Sequence, residues 1–127
     1  MANFYIDTPA LRLNLKNDLM KRIVELKERN YIDRGKYDYA LIDFADAIDS
    51  YDKVFEIAGE ICGDIIAPNA ESVDHEAPTL HNNHVTYARG TSQNLDAMRR
   101  ADLMDVTLPR IYDGLATSLP LCKAAMR

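Results

Sequence analysis

Between Phe44 and Ile66 the apolar residues Phe44, Ile48, Tyr51, Phe55, Ala58, Cys62 and Ile65 recur at steps of three and four, widened by Val54, Ile61 and Ile66. That spacing gathers them on one side of an α-helix through about six turns. A helix this long with one apolar side must bury it, so the rest of the chain has to supply a cover. Pro68 ends or kinks the helix, because proline has no amide hydrogen to donate and its ring crowds the preceding turn.

The flanking segments predict shorter helices. From Asp18, placed to cap, the residues Leu19, Met20, Ile23, Val24 and Leu26 form an inner stripe, with Lys21, Arg22, Glu25, Lys27 and Glu28 facing outward and an end near Asn30. Residues 1–15 predict an extended or short helical arm laid over apolar surface, and Tyr31 to Tyr39 reads as a connection. After Pro68 the sequence predicts a loop, irregular or with a small hairpin within residues 75–90, centred on 81–88 around Asn82-Asn83. Thr91 or Ser92 caps a third helix with Leu95, Met98, Ala101 and Leu103 inward, and Leu119 to Met126 starts a last short one. The expected fold is mainly α, a small orthogonal or up-down helical bundle forming a single domain over residues 1–127.

Composition excludes some roles. The chain has 127 residues, 47% hydrophobic and 28% charged, so it can bury a core and lacks the signature of disorder. A formal net charge of −5 offers no general attraction to nucleic acid or anionic lipid. No apolar run approaches the roughly 18 residues of a membrane span, and Met1 to Asp7 lacks the layout of a signal peptide, so a cytoplasmic location is expected. Cys62 and Cys122 read as buried small hydrophobes.

Chemistry-bearing patterns are sparse. Gly59 and Gly63 each cost about 1 kcal/mol against alanine inside a helix, which close approach of a second helix to their shared face would repay. His75, His81 and His84 are loosely spaced for a metal and read as solvated; Asp43, Asp46, Asp49 and Asp52 read as a solvated helix face. The seven tyrosines read as core or interface residues. Phosphate-cradling and hydrolase motifs are absent from the sequence.

Two longer segments carry a resemblance. Tyr51-Asp52-Lys53-Val54-Phe55-Glu56-Ile57, with Gly59 to Ala70 and then Asp74, resembles the N-terminal helical domain of acyl-CoA dehydrogenases. Asn94 to Ala101, followed by Leu108-Pro109-Arg110-Ile111-Tyr112-Asp113-Gly114-Leu115, resembles that domain's third helix and its Pro-x-x-Tyr-Gly-Gly turn. The resemblance covers most of residues 1–115; residues 116–127 diverge.

The resemblance implies an FAD-dependent acyl-CoA oxidoreductase family, in which a helical domain, a β domain and a C-terminal bundle hold the flavin and a glutamate base. It implies that this chain stops before the β domain, binds no cofactor alone and carries no catalytic residue. Pro109, Tyr112 and Gly114 would form a turn on the substrate side, and Gly59 and Gly63 a helix-packing face. Partners would be further copies of the chain or the missing flavin-binding domains; the alternative is a helical interaction module using the groove beside the two glycines. Asp102 and Asp113 depart from the family, which places glycine there. A left-handed backbone, natural for glycine after a helix, costs aspartate more.

Overall fold

The computed structural model describes residues 1–115. Helices α1 (Pro9–Leu15), α2 (Asp18–Lys27) and α3 (Phe44–Ile61) are followed by a π-helical turn (Cys62–Ile66), α4 (Ala67–Glu76), an antiparallel hairpin of β1 (Thr79–His81) and β2 (His84–Thr86), and α5 (Arg89–Arg100). A single 3-10 turn, Arg110–Tyr112, closes the described chain. The architecture is mainly helical, as the sequence predicts. The predicted helix over Leu119 to Met126, and Cys122, lie outside the described residues.

Helix α3 is the axis. Tyr51 and Phe55 of the predicted stripe are buried, and Ala47, one turn before Tyr51, is fully enclosed. With Tyr5, Leu15, Met20, Val24 and Leu41 they form one core cluster, edged by Leu11, Ile23, Tyr31, Phe44 and Ile48. Burying each large side chain contributes about 1.5–3 kcal/mol. Helices α1 and α2 pack on the first half of α3, while α5 lies against α4 and the π turn and reaches back to α3.

Pro68 does not end the helical run. The amide of Ala67 bonds back to the Cys62 carbonyl, a five-residue step, and α4 then continues to Glu76 with Pro68 in its first turn. The π turn widens the ladder just where proline cannot donate, so the chain stays helical across residues predicted to be loop. The hairpin begins at Thr79 rather than near 81, and Asn82 and Asn83 supply both left-handed turn residues, at φ 49° and 64°.

The N-terminal arm is not extended. It is a turn over residues 4–7 followed by α1, started by Pro9 in the first helical turn. Asn17, not Asp18, caps α2 by accepting from the Leu19 amide at 2.9 Å. Met20 and Val24 are buried, but Leu19 and Leu26 are exposed; they sit about 100° and 200° around the helix from that pair. Helix α5 starts before Thr91: its first turn is met by Glu76, which accepts from the Arg89 amide at 3.1 Å, so α4 provides the anionic cap. Leu95, predicted inward, is exposed, whereas Ala88 and Leu103 are buried.

Candidate functional site

The two helix glycines meet the N-terminal segment, not a second helix. A Cβ on Gly59 would lie 2.7 Å from the Tyr5 backbone nitrogen, and one on Gly63 would be 2.6 Å from the Ala2 carbonyl carbon. Phe4 donates its amide to the Gly59 carbonyl at 3.1 Å, the Asn3 side chain donates to the Glu56 carbonyl, and the Ala2 amide donates to Asp64. An irregular segment approaches this closely because its unpaired amides seek acceptors on the helix flank.

The aspartates of α3 are engaged. Asp43 caps the helix through the Asp46 amide, Asp46 accepts from the Ile42 amide, and Asp49 pairs with Lys53. Asp52 accepts from the Tyr5 hydroxyl and from Arg12. His75 stands 4.0 Å from Glu71 on α4, and His81 faces His84 across the hairpin. Among the described residues no group of three or more His, Cys, Asp or Glu side chains could hold a metal ion. Cys62 is half-buried, and that burial pushes its thiol up.

A 3-10 turn lies where the resemblance implies one, but its central residue is one the sequence reading passed over. Pro109 opens the 3-10 turn, Tyr112 is largely exposed, and Gly114 is buried where any side chain would strike the Leu108 carbonyl. Between them Arg110 points inward and is 4% exposed. Its partner, Glu28, sits just past the end of α2 and is 2% exposed, contrary to the outward placement predicted for it. Glu28 lies four residues beyond the deeply buried Val24, hence on the same helix face.

The pair is a two-point fork. Arg110 Nη1 donates to Glu28 Oε2 at 2.7 Å and Nη2 to Oε1 at 3.1 Å. Asp33 stands 3.6 Å from Nη1, the Tyr51 hydroxyl donates to Glu28 Oε1 at 3.4 Å, and Tyr39 donates to the Arg110 carbonyl. Burial opposes the charge on Arg110, but the hydrogen bonds and charge of Glu28, with Asp33, outweigh it and hold the guanidinium above its ordinary range. Burial and the neighbouring Glu28 carboxylate push the Tyr51 phenol well up. Arg110 Nε and the Tyr31 hydroxyl are buried with no hydrogen-bond partner among the described residues.

Two clefts flank Arg110. One of roughly 370 Å³ is walled by Tyr39, Asp46, Ser50, Tyr51, Val54 and Leu115, and one of roughly 380 Å³ by Lys27, Asp33, Tyr37, Thr107, Pro109 and Ile111; Arg110 borders both. Its guanidinium and the Glu28 carboxylate are committed to each other, so their chemistry is that of a lock between α2 and the turn.

Asp102 and Asp113 both adopt the left-handed conformation, at φ 53° and 61°. No family model matches the sequence, and no curated protein or solved structure matches it either. Among the described residues no helix is long and apolar enough to cross a membrane.

Proposed function

We propose that the chain is the N-terminal helical domain of an acyl-CoA dehydrogenase type of flavoenzyme, a bundle that packs against flavin-binding domains and performs no dehydrogenation alone. The observation that carries this reading is the backbone at Asp102 and Asp113. These are the two positions where the resemblance places glycine and this chain has aspartate, and both are left-handed, the conformation glycine favours. Further support comes from the helical build, from the 3-10 turn that Pro109 opens and Tyr112 ends, and from Gly114 lying against Leu108 just after it. FAD would be held by the other domains.

The test is a chimera in which this chain replaces the corresponding domain of an acyl-CoA dehydrogenase. A yellow protein that retains flavin is expected. A folded chimera that cannot hold flavin overturns the reading.

A second reading, a self-associating helical unit, draws on the exposed large hydrophobics Leu19 and Leu26 on α2 and Ile111 and Tyr112 on the turn. It predicts concentration-dependent association in sedimentation, weakened by Leu19→Glu with Leu26→Glu. A clean monomer at high concentration with no hydrophobic-dye binding removes it.

A further inference from the structure

The main core cluster is assembled from residues 5 to 55; after α5, among the described residues, Leu103 and Val106 are buried apart from that cluster. That final segment is differently held. Among residues 107–113 Arg110 alone is buried, while its neighbours Ile111 and Tyr112 are 71% and 69% exposed. Hydrogen bonds at Leu108, Tyr112 and Asp113 are local, to Asp105, Pro109 and Arg110. Within residues 107–113 Arg110 carries long-range polar ties: its side chain reaches Glu28 across 82 residues of sequence, and its carbonyl receives the Tyr39 hydroxyl across 71.

A buried ion pair of this kind adds little net stability, because desolvating both charges offsets most of their attraction. Here Arg110 Nε and the Tyr31 hydroxyl, unpartnered among the described residues, lower the gain further. What the fork does supply is direction, since two parallel bonds fix the guanidinium plane against the carboxylate.

We propose that Glu28 and Arg110 form a conformational clasp that decides where residues 107–115 sit, rather than whether the helical core folds. Closed, it seats the turn over the end of α2 and keeps the two flanking clefts separate. Open, it frees the turn and joins the clefts through the space Arg110 vacates, with the α1–α3 core intact. The inference rests on this geometry and is independent of the family reading.

The test is hydrogen exchange on the full chain carrying Glu28→Met and Arg110→Met together, which keeps bulk and removes both charges. The denaturation midpoint is expected to match or exceed that of the original protein. The Tyr112 and Asp113 amides are expected to exchange at least tenfold faster, with those of Ala47 to Phe55 unchanged. Unchanged exchange at Tyr112 and Asp113 overturns the proposal, and so does global unfolding of the double variant. Arg110→Lys keeps the charge without the fork, and is expected to loosen the same two amides; full protection in that variant also overturns it.

Discussion

The hydroxyl of Tyr5 donates to the carboxylate of Asp52 across 47 residues of sequence, and Arg12 donates to the second oxygen of the same carboxylate at 3.1 Å. Tyr5 also packs its ring against Phe55, with centroids 5.5 Å apart. One side chain therefore ties the N-terminal turn to both the polar flank and the apolar face of α3. The hydrogen bond from Tyr5, assisted by Arg12, holds the Asp52 carboxyl below its ordinary range against the opposing effect of burial.

That shift has a sign. The unfolded chain protonates Asp52 near the ordinary aspartate value of about 4, before the native state does, so acid favours unfolding. The contribution is complete above about pH 5 and disappears as pH falls through the lowered native value. Asp52→Asn is expected to cost about 1–2 kcal/mol at neutral pH and to flatten the acid limb of stability against pH. Urea titrations across that range provide the measurement, and an equally steep limb in the variant would contradict the assignment.

Gly59 and Gly63 should resist alanine. Helix propensity alone would reward each replacement by about 1 kcal/mol, but the new methyl would meet the Ala2–Tyr5 backbone, and overpacking costs about 1–3 kcal/mol. Net destabilisation is expected in chemical denaturation. A gain at either position would mean that the N-terminal segment does not lie on this face in solution.

Asp102→Gly and Asp113→Gly should each stabilise the chain by about 0.5–1 kcal/mol, because glycine takes the left-handed backbone without a Cβ penalty. Alanine at the same positions should destabilise it. Thermal melts of the four single variants compare the two directions; a glycine variant no better than its alanine counterpart would argue against the left-handed turn.

In alkali the same linkage runs the other way. Burial comes first, then the Asp52 hydrogen bond for Tyr5 and the Glu28 charge for Tyr51, and together they raise both phenols well above the usual value near 10. Their contribution is full below about pH 10 and is lost as pH rises beyond it. Tyrosinate absorbance is expected to show a late fraction that appears together with loss of helical circular dichroism. Tyr5→Phe with Tyr51→Phe should shrink that fraction, leaving the smaller part from Tyr31 and Tyr39, which burial also raises.

The parts of the fold legible in sequence are those fixed by local periodicity and turn chemistry. Phe44 to Ile65 announces α3 through its spacing, and Asn82-Asn83 marks the hairpin turn because asparagine tolerates the left-handed region. Glu28 was legible only in part: its place four residues after Val24 puts it on the buried face, yet a carboxylate there makes sense only once Arg110 is known to reach it. The cover over Gly59 is the N-terminal turn rather than the helix its spacing suggests, because glycine reports that something comes close without reporting what.

The sequence by itself determined that the chain is mainly helical, where its longest helix lies, and that a hairpin turn forms at Asn82-Asn83. These follow from short-range rules, in which each residue answers to neighbours three or four positions away. Tertiary structure alone decided that helix persists through Pro68, that the N-terminal turn covers the two glycines, and that Glu28 locks to Arg110. Those outcomes depend on buried polar atoms finding partners far along the chain, and the cost of leaving such atoms unpaired is set by burial, which no local pattern contains.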